Sequence, residues 1–344
     1  LGCVAVYSAT AIQAAQVYGT SVWFLLRHVA AILLGVAAGA ACLFIPPSRL
    51  RGWVKGLVAA SLVLVALVAL VGPEIGGAQR WFRIGRLSIQ PSEFAKLALV
   101  LYVADFLARK REGIRQFRDG FLPPLLITGV MAGLVLLQPD LGTAIVMGMV
   151  VMLLLIVAKA RWPHVGATLL GGVVVLAVLI AGAEYRRRRL LAFLDPWQDP
   201  LGAGFQIVQS YLALGHGGWL GQGLGASMQK LYYLPGGHTD FILAILGEEL
   251  GLLGTSAVIG LYALFVGCGL RMALGAHELF AKYLICGCVG LIALEAMVHM
   301  AVVTGVLPTK GLPLPLVSYG GTSIVGHLIA CALIVNASRR SSAE

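Results

Sequence analysis

The sequence predicts an all-α, polytopic integral membrane protein of about ten transmembrane helices, with a long outer loop between the seventh and the eighth. Three observations carry that expectation. Of 344 residues, 59% are hydrophobic and only 12% charged, where a soluble domain has about 25% charged residues. The mean hydropathy is +0.91. Apolar runs of about 20 residues, each long enough to cross a bilayer, recur from end to end. Little room remains for a soluble domain, so residues 1–344 read as one transmembrane domain.

The runs fall at roughly 1–9, 24–44, 54–72, 91–108, 121–138, 142–158, 164–183, 240–268, 281–303 and 315–336. The chain begins without Met inside an apolar run, so part of a first helix is expected to be missing, and no cleavable signal peptide is visible. An even count puts both termini on one side. The loops on that side hold fourteen Lys and Arg against ten in the opposite set, which assigns them to the cytoplasm. The net charge of +10 therefore suits membrane lipids and not nucleic acid. The six cysteines lie in or beside apolar runs and read as small packing residues.

The extracytoplasmic loop, 184–239, opens with Arg186, Arg187, Arg188 and Arg189, a cluster that calls for an anion: lipid headgroups or a dedicated phosphate site. A turn at Asp195-Pro196 and the tract GHGGWLGQGLG (215–225) follow. The tract has neither Walker nor Rossmann spacing. Its glycines permit tight turns and close backbone approach.

Several polar residues sit where a membrane protein places them at a cost. Glu93 and Lys96 stand at i and i+3 in QPSEFAKLALVL, so they share a helix face and either neutralise each other or line a polar cavity. Asp140, in QPDLGTA, is best read as a helix cap. Glu295 and His299, at i and i+4, make a hydrogen-bonded pair and not a metal site unless a third ligand converges. The outer stretch VLPTKGLPLPLVSYGGTS (306–323) is broken by Pro and Gly, and non-helical backbone at membrane depth must line a cavity or be buried in protein. Within it Lys310 offers a cation, and Ser318 with Tyr319, Thr322 and Ser323 offers hydrogen bonds. In PGGHTDFILAILGEELGLLG (235–254), Thr239 or Asp240 suits the N-cap of a helix starting near 240, while Asp240 also suits a base or a cation ligand at the membrane rim. At least one of Glu248 and Glu249 should face the protein interior, as a structural partner.

Six of these strings together resemble the SEDS family, the RodA and FtsW proteins of bacterial cell-wall synthesis. They are YSAT (7–10), AQRWFRIGRLSIQPSEFAK (78–96), QPDLGTA (138–144), FQIVQS (205–210), HTDFILAILGEELG (238–251) and LPTKGLPLPLVSYGGTS (307–323), in the family's order and across essentially the whole chain. The resemblance implies a multi-pass protein of the cytoplasmic membrane and an inverting peptidoglycan glycosyltransferase that polymerises lipid II and releases undecaprenyl pyrophosphate. It maps the family's essential outer-loop acid onto Asp240, and its membrane carboxylate and lysine onto Glu93 and Lys96. It implies a class B penicillin-binding protein as transpeptidase partner. Lys96, Arg186, Arg187 and Lys310 are then candidates to hold the pyrophosphate, with Ser318 a further substrate contact. No particular cofactor is implied, and a divalent cation, Mg or Mn, could share that role. The family usually has Asn where His299 stands and commonly an amide where Glu295 stands. LPTKG looks FtsW-like, whereas Pro313 and the short termini look RodA-like, which favours cell elongation and shape over the division paralogue. A lipid II flippase is the rival from another class, although no inverted repeat stands out.

Overall fold

The computed structural model describes residues 1–75, 77–85, 87–231 and 234–341, and for residues 84, 87, 112, 340 and 341 the backbone alone. Arg86, counted above among the outer charges, lies outside the described residues.

The described chain is helical almost throughout, as α1 (Gly2–Tyr18), α2 (Trp23–Phe44), α3 (Pro47–Val71), α4 (Pro91–Lys110), α5 (Leu122–Leu137), α6 (Leu141–Val157), α7 (Trp162–Ala181), α8 (Glu184–Leu194), α9 (Phe205–Gly217), α10 (Ile242–Leu274), α11 (Leu279–Val303) and α12 (Gly321–Ser341). A two-stranded antiparallel hairpin, β1 (Phe82–Ile84) and β2 (Leu87–Ile89), precedes α4. Seven of the described helices are long and apolar enough to span a membrane: α2, α3, α5 with its preceding turn, α7, α10, α11 and α12. The protein is a multi-pass membrane protein. The other three expected segments are also helices, but α1 and α6 have 17 residues each, and α4 carries Glu93, Lys96, Asp105, Arg109 and Lys110.

Several boundaries differ from expectation: α3 starts at Pro47 and not at 54, α10 runs on to Leu274, and α12 is shifted to Gly321–Ser341. The first helix runs to Tyr18, well past residue 9. Its second half, AIQAAQVY, is rich in Ala, a strong helix former, while Gln13 and Gln16 end the apolar window early; Gly19 stops the helix at φ 72. The long outer loop is not irregular either, since it contains α8, on which all four arginines 186–189 lie, and α9.

The chain packs as two compact units. One comprises Leu1–Ala30, Thr168–Ala263 and Glu295–Gly320. The other comprises Ala31–Ala167, Leu264–Leu294 and the chain from Gly321 onward. In this second unit α4 is the buried centre: it packs on α3, α5, α6 and α12, and Pro91 at its first turn is compatible with helix initiation. Asp140 caps α6 as expected. Its Oδ1 accepts from the Thr143 backbone N–H at 3.1 Å and its Oδ2 from the Thr143 hydroxyl at 2.9 Å. Arg51 binds Asp105 at 2.9 Å and Glu278 at 3.3 Å, and Arg109 binds Asp105 at 2.7 Å.

In the first unit the governing feature is a break in α10 at Gly251, whose φ of 67° and ψ of −165° lie outside any helix. The glycine tract fills the break. Gln222 and Gly223 donate their N–H groups to the carbonyls of Glu248 and Glu249 at 2.9 and 3.0 Å. Gly218 and Trp219 accept from Leu252 and Leu253 at 2.9 and 3.1 Å. Backbone groups that a broken helix would orphan are thus satisfied by the loop. Such an approach excludes side chains: a Cβ on Gly221 would lie 2.2 Å from the Glu249 carbonyl oxygen.

Candidate active site

Asp240 lies in a turn of its own, ahead of the helix. The Gly236 carbonyl accepts from the N–H groups of Thr239, Asp240 and Phe241 at 3.0, 2.9 and 3.2 Å, and α10 begins only at Ile242. The Thr239 hydroxyl bonds back to the same carbonyl at 3.2 Å. The expected helix start near 240 is therefore displaced by this turn, which Gly236 makes possible at φ 71.

The turn is clamped by the Pro- and Gly-rich stretch 304–320. The Ser318 hydroxyl donates to the Thr239 carbonyl at 2.6 Å and accepts from the Leu314 N–H at 2.8 Å. The Tyr319 N–H donates to the His238 carbonyl at 3.0 Å. His299 on α11 holds the same stretch: its Nδ1 lies 2.8 Å from the Leu312 carbonyl, so Nδ1 carries the proton. The Tyr262 hydroxyl donates to the Pro315 carbonyl.

Gly311, exposed, stands directly against the Asp240 carboxylate. A Cβ built on Gly311 would lie 3.0 Å from Oδ2, and one built on Gly236 would lie 3.7 Å from it. Two glycines therefore leave space around a half-buried carboxylate, which a sugar hydroxyl or a cation could enter. Lys310 precedes Gly311 and is half-buried. The ring of His238 packs between Phe24 at 5.4 Å and Tyr319 at 5.9 Å, and burial pushes its pKa below the ordinary histidine value. Arg27 hydrogen-bonds the Tyr319 side chain and lies 4.1 Å over the Trp23 ring.

The other expected site residues divide between the units. Arg186, Arg187, Lys310 and Ser318 belong with Asp240 in the first. Arg186 is engaged by the Tyr185 hydroxyl and the Leu179 carbonyl, each at 2.9 Å; Arg187 is exposed. Glu93 and Lys96 belong to the second unit, where they pair at 2.9 Å and are 5% and 3% exposed. The face-sharing expectation for them holds.

Sequence reasoning missed a second buried charge network in the first unit. Lys230, from the outer loop, reaches Glu249 at 3.1 Å and the Gly225 carbonyl. The Ser8 hydroxyl of YSAT donates to the same Glu249 oxygen at 2.5 Å. Glu248 accepts from the backbone N–H groups of Met228 and Gln229 at 3.3 and 3.2 Å, and from the Ser227 hydroxyl. Both glutamates are 1% exposed. They are the structural partners expected of them, fastening loop 225–230 to α10. YSAT was the available signal, but nothing in its spacing points 241 residues down the chain.

This architecture has known counterparts. Residues 1–343 match the family model for FtsW, RodA and SpoVE, described as cell cycle protein. A probable peptidoglycan glycosyltransferase FtsW of Geobacter sulfurreducens is 41% identical over 98% of this chain and 91% of its own length. Stage V sporulation protein E of Bacillus subtilis is 40% identical over 99% and 94%. Among solved structures, a chain of a peptidoglycan synthase complex, solved for the structural coordination of polymerization and crosslinking, superposes with a TM-score of 0.81 at 34% identity, covering 99% of this chain and 96% of that one. The rod shape determining protein RodA of Thermus thermophilus gives 0.70 at 31%, over 98% and 94%. A match that runs the length of the sequence, with the helices superposed, makes this chain a member of the FtsW–RodA–SpoVE family.

Proposed function

We propose that the chain is a peptidoglycan glycosyltransferase of the bacterial cytoplasmic membrane, polymerising lipid II at the outer face with both termini in the cytoplasm. The observation that carries this reading is the Asp240 carboxylate, half-buried between two glycines on a clamped turn, in a family whose members bear that activity in their names. The acceptor 4-hydroxyl gives its proton to Asp240 while its oxygen bonds to the anomeric carbon of the donor. The bond from that carbon to the pyrophosphate oxygen breaks, and undecaprenyl pyrophosphate leaves with the electron pair. Attack opposite the leaving group inverts the α-linked donor to a β-1,4 bond.

Positive charge must meet the departing pyrophosphate. Lys310, beside Gly311, and exposed Arg187 suit contact with it. Lys96 is 3% exposed and has its charge met by Glu93 at 2.9 Å; we keep it as a proposed contributor to that role. A divalent cation, Mg or Mn, would be held by Asp240 together with the substrate phosphates, since Mg is commonly held by one or two carboxylates and substrate phosphates. Bound there it would neutralise the pyrophosphate, and Asp240 would serve as its ligand.

The structural neighbour that coordinates polymerization with crosslinking supports a class B penicillin-binding protein as partner. Relatives at 40–41% identity that carry the names FtsW and stage V sporulation protein E support the division branch, the alternative to the elongation role that Pro313 and the short termini suggested. Purified chain, with and without its partner, is incubated with lipid II and products are resolved by size. Wild type should yield polymer, and Asp240→Asn should yield none while still melting and binding lipid II like wild type. Polymer at near wild-type rate from Asp240→Asn would sink the assignment; translocation without polymer would favour a flippase.

A further inference from the structure

The connection between α6 and α7, residues 158–161, closes over a cavity of about 500 Å³. Three cations line it: Arg115, from the 3-10 turn Arg111–Arg115, and Lys159 and Arg161 from the connection. Ile156, near the end of α6, and Trp162, the first residue of α7, supply its apolar walls. Among the described side chains, no lining residue is acidic. The volume falls within the usual range for a small-molecule site, about 300–1,000 Å³.

The walls are built. Gly120 lets the turn Phe117–Phe121 press against the 3-10 turn, because a Cβ there would lie 2.2 Å from the Gly113 carbonyl oxygen. His164, in the first turn of α7, packs against Phe117 at 5.3 Å and Phe121 at 5.4 Å. These contacts fix the 3-10 segment carrying Arg115 relative to the start of α7. The start of α7 adds the positive end of a helix dipole to the three cations.

We propose that this cavity binds the phosphate headgroup of an anionic membrane lipid. It lies at the junction of two membrane helices, on the side that the Lys and Arg bias assigns to the cytoplasm, a sidedness that rests on the proposed topology. Ile156 and Trp162 are 38% and 71% exposed, and apolar surface at that depth faces acyl chains. Free phosphate or an acidic peptide would use the cations and make no contact with those two residues. A phosphodiester headgroup with its chains attached uses both, as basic pockets between membrane helices do.

The test uses the full chain in nanodiscs of zwitterionic lipid, titrated with phosphatidylglycerol and followed by native mass spectrometry and thermal melting. Wild type should retain phosphatidylglycerol and melt higher with it. The Lys159→Gln/Arg161→Gln variant should bind about twenty-five-fold more weakly, at about fivefold per cation, while melting like wild type in zwitterionic lipid alone. If that variant does not fold, Arg115→Gln, at an exposed position, should show the fivefold loss by itself. Unchanged phosphatidylglycerol affinity in the folded variants overturns the proposal. So does inorganic phosphate producing the whole thermal shift, or a polyglutamate peptide binding wild type where the lipid does not.

Discussion

Lys230 and Glu249 allow the role of the outer loop to be tested quantitatively. Their side chains are 6% and 1% exposed and 3.1 Å apart. Lys230→Met leaves the Glu249 carboxylate buried with Ser8 as its remaining donor, and stranding one partner of a buried pair costs about 3–5 kcal/mol. At about 2 cal/mol/K per residue the unfolding entropy of the whole chain is about 0.7 kcal/mol/K, so the melting temperature should fall by roughly 4–7 °C. Glu249→Gln should cost less, because Lys230 keeps the Gly225 carbonyl and Ser8. The double variant should recover much of the loss, giving a coupling of about 1–3 kcal/mol. Thermal unfolding of the four proteins in one detergent gives the cycle, and hydrogen exchange over residues 222–231 locates the effect. Single-variant effects that add within about 0.5 kcal/mol would show that the pair does not hold the loop.

Two further outcomes follow from the Asp240 turn. Gly311→Ala places a methyl 3.0 Å from Asp240 Oδ2, which pushes the carboxylate by a few tenths of an ångström; lipid II polymerisation should drop about three- to tenfold with an unchanged melting temperature, and wild-type turnover would count against Asp240. The lowered pKa of His238 means that protons favour the unfolded turn: its contribution is complete above the unfolded pKa of about 6.5 and is lost as pH falls through the folded value. Amide protection at 236–241, taken as the ratio of intrinsic to observed exchange at each pH, should therefore fall between pH 7 and 5 in wild type and change less in His238→Gln.

The sequence was most legible where chemistry is local. Glu93 with Lys96 and the Asp140 cap are pairs three residues apart on one helix, and helical geometry alone brings them together. The membrane helices follow from apolar runs, except at α1, where two glutamines hide the second half; α8 and α9 of the outer loop have no such run to announce them. What stayed hidden depends on long-range closure. Lys230 reads as one more loop cation until folding carries it to Glu249 and Ser8. The glycine tract advertised close backbone approach but not its destination, the gap at Gly251. Asp240 stood out through family resemblance, because its turn is completed by Gly311, Ser318 and Tyr319, some 70 to 80 residues away.

The break at Gly251 also changes what the membrane can transmit. Unbroken, a helix of 33 residues would be about 50 Å long at about 1.5 Å per residue, far beyond a hydrocarbon core of about 30 Å. Divided, Leu252–Leu274 measures about 35 Å and crosses by itself with modest tilt, while Ile242–Leu250 is a separate rod of about 14 Å, with Asp240 just ahead of it. Thickening or thinning of the bilayer is thus absorbed by the tilt of the longer rod. The carboxylate rides on the shorter one, so its setting should be buffered against changes in lipid chain length that would displace a residue at the tip of a continuous helix.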